Sequence, residues 1–197
     1  MNSRKFTLML ITVLAMTVQA NAAQIIKFDA PDSGTGAGQG TFTTGINNFG
    51  VVTGQVTDNN NATHGFVGTP GGFTDFDAPG ANPVIGCTCP SGINDLGAVT
   101  GNYIDTNSVN HGFVRTPEGE IIPFDDSQPP AGTGAGQGTT PQAINDLGEI
   151  AGYYTDGNGA THGFVRTPGG KIITFDAPGA PGGTGVAPLI RTEILPG

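Results

Sequence analysis

The chain has 197 residues, and its 16 acidic side chains outnumber 7 basic ones, so that its formal net charge is −9 at pH 7. This negative charge repels phosphate, which argues against nucleic acid and against anionic membrane surfaces as partners. The 34 glycines and 15 prolines follow no collagen period. They fall at fixed positions beside Val, Ile, Phe and Tyr, and therefore predict β structure with many turns.

The first segment, residues 1–22, has the features of a secretory signal peptide. Arg4 and Lys5 precede an apolar run and a group of small residues that ends at Ala22 and Ala23. The alternative is an uncleaved membrane anchor, but the run is shorter than the roughly 20 residues that a spanning helix needs. We expect cleavage after Ala22 or Ala23, an extracellular or periplasmic location and no later membrane span. Loss of the two cations would lower the formal charge from −9 to −11.

The rest of the chain contains one unit three times, starting at Gly45, Gly92 and Ala143. Each copy has an I-N-x-x-G segment followed by H-G-F-V, and Asn and His stand 17 positions apart in every copy: Asn47 and His64, Asn94 and His111, Asn145 and His162. Most of the length variation lies between the F-D pair and the next I-N pair, as a surface connector would allow. We expect a single repeat domain over 24–197, with repeats at about 32–79, 80–127 and 128–178 and partial-repeat strands at 24–31 and 182–197.

Each repeat contains four short β segments separated by turn residues. The Asn-Asp-Leu-Gly type of turn places Gly where positive φ is needed, and Pro123 in the F-D strand fits a sheet edge. A glycine inside the second strand (Gly54, Gly101, Gly152) predicts a bulge or a close backbone approach. Four antiparallel strands in about 48 residues predict an all-β fold of propeller-blade-like units, with a β-trefoil as the alternative.

The repeated residues are best explained as structural. Three equivalent histidines could converge as metal ligands or bases, but a residue present once per unit is more simply its hydrogen-bond fastener, satisfied by a backbone carbonyl. The same holds for Asn47, Asn94 and Asn145. The aromatic residues are expected in the core because the chain has no Trp: Phe66, Phe113, Phe164, Phe76, Phe124 and Phe175.

Three further patterns suggest binding chemistry only weakly. Asp58, Asp105 and Asp156 begin Asp-x-Asn segments like those of calcium loops, but the downstream Glu and the full ligand set are missing, so hairpin turns explain them better. The identical glycine-rich segments Gly34–Gly40 and Gly132–Gly138 precede no helix and are connectors rather than phosphate cradles. No nucleophile or cofactor motif is present, and we expect no catalytic, cofactor-binding or metal residue.

Cys87 and Cys89 occur only in the connector of the second repeat. An exported chain favours disulfides, but a Cys-x-Cys loop is small, and a redox motif would need Cys-x-x-Cys. The sequence therefore predicts a local disulfide or two free thiols.

The repeat resembles the bacterial extracellular HAF-repeat family, whose core runs I-N-x-x-G-x-x-x-G and then H-A-F. This chain carries H-G-F instead, at His64–Phe66, His111–Phe113 and His162–Phe164, together with an F-D-A-P-G extension. The resemblance covers Ile25 to Gly179. It implies secretion and a propeller-like β repeat, and it implies no catalytic residue.

Two functions remain open from the sequence. The first is an exported scaffold without catalytic activity that binds a polysaccharide or a surface protein through its connectors. The second is a secreted hydrolase or lyase that acts on polysaccharide, with an acid outside the repeat pattern such as Glu118 or Asp126. Three blades leave a ring open, and open strand edges predict a homodimer.

Overall fold

The computed structural model describes residues 25–82, 84, 87–126 and 131–176. These ranges are all β and contain no helix, so none that is long and apolar enough to cross a membrane. The expected signal peptide and the partial repeat at 182–197 lie outside them. The strands are β1 Gly40–Ile46, β2 Val52–Thr57, β3 Thr63–Thr69, β4 Gly72–Phe76, β5 Thr88–Ile93, β6 Val99–Ile104, β7 Asn110–Arg115, β8 Ile121–Phe124, β9 Gly138–Ile144, β10 Ile150–Thr155, β11 Thr161–Arg166 and β12 Ile172–Phe175.

The strands pair as antiparallel meanders in chain order. Strands β1 to β4 form one four-stranded sheet, and β5 to β8 and β9 to β12 pair in the same order. A single parallel pair, Asn110 with Gly138, joins the last two meanders into an eight-stranded sheet. Pro123 lies in β8, which pairs only with β7, so its expected place on a sheet edge is confirmed.

The glycine inside each second strand faces a bulge, as predicted. The register between β5 and β6 shifts between Pro90 and Gly92, opposite Gly101. A Cβ on Gly101 would lie 2.2 Å from the carbonyl oxygen of Cys89, which no rearrangement of side chains could relieve. Gly54 and Gly152 have the same relation to β1 and β9.

The predicted Asn-to-Gly turns are also confirmed. The glycines Gly50, Gly97 and Gly148 have φ values of 76°, 85° and 79°. The Asn at the start of each turn closes it, since Asn94 Oδ1 accepts the N–H of Ala98 at 2.9 Å. Short turns of this kind fix the register of the strands that they join.

The same Asn side chains also link one repeat to the next. Asn47 Nδ2 donates to the carbonyl of Asn94 at 3.1 Å, and Asn94 Nδ2 donates to the carbonyl of Asn145 at 3.0 Å. Asn145 has no following repeat to bind among the described residues, and its amide donates to Glu149 instead. The row of turns is therefore one hydrogen-bonded line along the molecule.

The core consists of three separate clusters, each of which spans a junction. A cluster contains the second and third strands of one repeat together with the F-D phenylalanine of the segment before it. The H-G-F phenylalanines Phe66, Phe113 and Phe164 are fully buried, as expected. This division follows from the size of the meander, because one four-stranded sheet cannot bury its apolar face alone.

Two predictions at the ends of the array are wrong. Residues 25–30, expected as a strand, pair with no sheet, because no third strand precedes them among the described residues. Phe175, expected in the core, is 44% exposed, because no described repeat follows it. Both departures arise from the absence of a neighbour.

Candidate functional site

The three repeated histidines have similar surroundings. Each lies on the third strand of its repeat, and its Nδ1 is within hydrogen-bonding distance of the Asp of the following F-D pair: His64 with Asp77 at 2.9 Å, His111 with Asp125 at 2.8 Å and His162 with Asp176 at 2.8 Å. The partner is a carboxylate rather than the backbone carbonyl expected from the sequence. The histidines do not converge on one point, since each is tied to its own repeat.

The glycine of H-G-F is needed because an aromatic ring lies over it. A Cβ on Gly112 would meet the Phe124 ring at 2.9 Å, and a Cβ on Gly163 would meet the Phe175 ring at 2.6 Å. Phe76 lies over Gly65 in the same way. The F-D pair of each repeat thus provides the aspartate that binds the histidine of H-G-F and the phenylalanine ring that covers its glycine.

In the second and third repeats a tyrosine ring stacks on the histidine. The ring centroids of Tyr103 and His111 are 5.0 Å apart, and those of Tyr154 and His162 are 4.9 Å apart. Burial, followed by the nearby Asp126, Asp176 and Asp156, raises the pKa of Tyr154 to about 12. Both phenols therefore serve as neutral packing groups, since burial also raises the pKa of Tyr103.

The first repeat departs from this arrangement at one position. Val56 stands where the other repeats have Tyr103 and Tyr154, and it pairs with His64 as Tyr103 pairs with His111. Tyr103 reaches 3.4 Å from the position of a Cβ on Gly80, which follows the F-D-A-P segment as Asp32 does in the first repeat. Val56 is smaller than a tyrosine and is fully buried. Beside it, His64 and Asp32 line a cleft of about 540 Å³.

The cleft is lined mainly by acidic and amide side chains: Asp29, Asp32, Asp58, Asn59, Asn60, His64 and Asp75, together with Ala30 and Ser33. Asp32 and Asp75 stand outside the repeat pattern. Burial raises the pKa of Asp75, and the neighbouring Asp32 raises it further. Burial acts on Asp58 in the same direction, but the N–H groups of Ala62 and Asn60 outweigh it and hold its pKa below the usual value.

The cleft was missed from the sequence, although one indication was visible. Aligning the three repeats shows Val56 where two tyrosines stand, and a smaller residue at a core position of one copy indicates a cavity in that copy. The acidic residues gave no indication, because Asp32 and Asp75 become neighbours only in the folded chain.

The Asp-x-Asn segments form turns whose carboxylates are already bonded. Asp105 Oδ1 accepts N–H groups from Asn107 at 2.8 Å and Val109 at 2.9 Å, and Asp58 and Asp156 do the same. These bonds use the oxygens that a calcium loop would offer. In the described part of the chain no group of three or more His, Cys, Asp or Glu residues is arranged to hold a metal ion.

Of the remaining sequence candidates, the cysteines, Glu118 and Asp126 do not line the cleft, whereas one glycine-rich connector runs beside it. Cys87 and Cys89 are joined in a disulfide at the start of β5. Glu118 is exposed in the turn before β8, and Asp126 is buried beside Thr139, to which its N–H donates at 3.2 Å. The connector Gly34–Gly40 runs beside the cleft, because Gly34 N donates to the carbonyl of Thr57 and Thr35 N to Asn59 Oδ1.

Comparison with protein families, with curated proteins and with solved structures finds no match to this chain.

Proposed function

We propose that the protein is an exported β-repeat scaffold without catalytic activity, which binds a polysaccharide or another surface protein outside the cytoplasm. The observation that supports this proposal is the use of the repeated polar side chains within the fold. The three His residues bind the F-D aspartates, two of the three Asn residues bind the next turn, and Asp58, Asp105 and Asp156 close their own turns. Each of these side chains has a structural role in the fold, which accounts for its repetition without a catalytic role.

For the architecture we propose propeller-blade-like repeats of the HAF type rather than a trefoil. Each meander keeps its four strands in chain order with no pair between the first and the fourth strand, as in a blade. The first strands lie side by side: Thr44 Oγ1 donates to the carbonyl of Pro90, and Ser91 Oγ donates to the carbonyl of Pro141. In a propeller the first strands of neighbouring blades lie next to one another, so these contacts support blade-like repeats.

The binding surface that we propose is the cleft of the first repeat with its connector Gly34–Gly40. It is concave, it is rich in carboxylate and amide groups, and its acids Asp32 and Asp75 are not shared by the other repeats. Carboxylates and amides in a wet cleft suit the hydroxyl groups of a sugar or the basic side chains of a protein.

The test compares two connectors of identical sequence. Thr35→Arg leaves every glycine of the first connector in place and should abolish binding in a panel of polysaccharides and surface proteins, whereas the matched change Thr133→Arg in the exposed part of the second connector should not. Val56→Tyr should fill the cleft with the ring that the other repeats carry and should also abolish binding. Equal loss from both connector changes, or full binding by Val56→Tyr, would contradict the proposal.

The alternative is a hydrolase or lyase that acts on polysaccharide, and one observation favours it. Asp75, whose pKa is raised, and Asp32 line one cleft, as the two acids of a glycosidase would. Release of product from a glycan panel, lost on Asp75→Asn and retained on Glu118→Gln, would establish it. Binding without product release would favour the scaffold.

A further inference from the structure

Each F-D strand docks on the following repeat through two contacts that recur. Its phenylalanine packs edge-on against the H-G-F phenylalanine of the next repeat, and the N–H two residues further on donates to a threonine hydroxyl of the next first strand. The contacts are Phe76 with Phe113 (6.0 Å between ring centroids) and Ala78 with Thr88 (3.0 Å) at the first junction, and Phe124 with Phe164 (6.2 Å) and Asp126 with Thr139 (3.2 Å) at the second. We call the surface that accepts these contacts the receiving site of a repeat.

The receiving site of the first repeat is occupied by residues 25–31, which belong to no sheet. Phe28 packs in the cluster of Phe66 and stacks on Phe73 with 5.0 Å between ring centroids. Ala30 N donates to Thr41 Oγ1 at 2.8 Å, which matches the bond at the other two junctions. The segment therefore acts as an F-D strand without its own meander.

The F-D strand of the third repeat has no described receiving site to occupy. Phe175 is 44% exposed, and no described repeat follows it to provide a receiving site. Residues 177–197 contain no Phe and no His, so they cannot supply an H-G-F segment. Among the described residues, the array therefore has a strand without a receiving site at one end and a receiving site with a loosely held strand at the other.

The two strands are nearly identical in sequence. Ile25–Pro31 reads I-I-K-F-D-A-P and Ile172–Pro178 reads I-I-T-F-D-A-P, so that only Lys27 and Thr174 differ. Neither of these residues makes the recurring contacts, which come from the phenylalanine and from the residue two positions after it. A receiving site that accepts the first segment has every contact it needs for the second.

We propose that the F-D strand of the third repeat of one molecule binds the receiving site of the first repeat of a second molecule and displaces residues 25–31 there. The displaced segment is weakly held: Ile25 is 83% exposed, Ile26 is 64% exposed, and a cleft of about 430 Å³ separates the segment from β1. The incoming strand is better held, because β12 arrives paired with β11.

The contact joins the two different ends of the array, so it is a head-to-tail contact and produces closed rings or open chains rather than a simple two-fold dimer. The full sequence has a formal charge of −9, and loss of the expected signal peptide makes each copy more negative, so the copies repel each other and association should strengthen as salt increases. This inference concerns self-association and does not depend on the ligand of the proposed scaffold.

The experiment is sedimentation of the exported protein over a range of concentration, with two changes of the same chemistry and opposite expected effect. Phe175→Ser removes the donated ring and should weaken association on the order of tenfold or more, as expected for an aromatic anchor at an interface. Phe28→Ser weakens the segment that blocks the receiving site and should strengthen association. The control is Phe49→Ser, because Phe49 is 75% exposed in a turn and should leave association unchanged.

A peptide with the sequence of residues 171–178 provides a second measurement, which remains valid if Phe28→Ser lowers stability. The peptide should bind the protein, bind Phe28→Ser more tightly, and dissociate the assembly, whereas its Phe175→Ser version should do none of these. A protein that is monomeric at all concentrations, or equal effects of Phe175→Ser and Phe49→Ser, would overturn the proposal. Failure of the peptide to bind would mean that residues 25–31 hold the receiving site too firmly to be displaced, and it would also overturn the proposal.

Discussion

The first repeat and the third repeat have the same meander, the same turns and the same His–Asp bond, yet they offer different surfaces. In the third repeat Tyr154 stacks on His162, and Arg166 lies 4.6 Å from the ring centroid of Phe124. In the first repeat Val56 and Gly68 stand at those two positions, and a cleft lies beside His64. The comparison teaches that the repeat tolerates change at its filling residues without change of backbone, and that such changes create a distinct surface in one copy.

The largest expected effect tests whether the repeats share one backbone. Gly101→Ala should destabilise the protein by about 3 kcal/mol, because its Cβ would overlap the backbone of β5, and Gly54→Ala and Gly152→Ala should behave alike. Chemical denaturation measures the loss. Gly157→Ala is the control, since a Cβ there meets nothing within 4 Å. Loss of stability from only one of the three glycine substitutions would show that the repeats do not share one backbone.

The next effect concerns the filling residue itself. Tyr154→Val gives the third repeat the residue of the first and should destabilise by about 2 kcal/mol, because it leaves a cavity beside His162. Val56→Tyr, the reverse change, should be tolerated because the cleft already offers the space. Urea denaturation of both variants provides the measurement, and a larger loss from Val56→Tyr than from Tyr154→Val would show that the two sites are not equivalent.

A smaller effect is expected at the arginine that only the second and third repeats possess. Arg166→Met keeps the aliphatic stem and removes the charge over Phe124, and it should destabilise by about 1 kcal/mol. Arg115→Met should match it, since Arg115 lies 5.1 Å from the ring centroid of Phe76. Thermal unfolding is the measurement, with the exposed Lys171→Met as control. No difference from Lys171→Met would mean that the charge contributes nothing.

The smallest effect is a pH dependence at alkaline pH. The pKa of Tyr154 is raised to about 12 from the usual 10, so its contribution to stability is complete below pH 10 and is lost as the pH rises towards 12. Its hydroxyl is buried and has no hydrogen-bond partner among the described residues, so Tyr154→Phe should be neutral or slightly stabilising and should reduce this loss. Phenolate absorbance and denaturation at pH 8 to 11 test it, and an unchanged alkaline profile in Tyr154→Phe would contradict it.

At acid pH the comparison predicts no difference between repeats. The backbone N–H groups of its turn hold the pKa of Asp105 low, and the same donors outweigh burial at Asp58 and hold down Asp156. Their contributions are present above the usual carboxylate pKa and are lost as pH falls below it. Each repeat contains one of these aspartates. Loss of their contribution to stability at low pH should therefore affect all three repeats together.

Much of the backbone was predictable from the sequence, because turn chemistry is local. Asn and Gly at fixed spacing define the turns, and the internal glycines locate the bulges, as observed at Gly54 and Gly97. The features that the sequence did not predict depend on contacts between segments that are distant in the chain. The carboxylate partner of His64 lies 13 positions away, directly after β4. Residues 25–30 pair with no sheet because no described strand precedes them, and the cleft is lined by acids that are distant in the sequence.

The line of turn amides described above has a consequence for the growth of such proteins by gene duplication. Each Asn donates to the repeat after it, and the bond from Asn47 to Asn94 has the same form as that from Asn94 to Asn145. An inserted copy would receive one such bond and provide another, and Glu149 shows how a final amide is satisfied locally. Array length can therefore evolve one unit at a time while every turn amide keeps a hydrogen-bond partner.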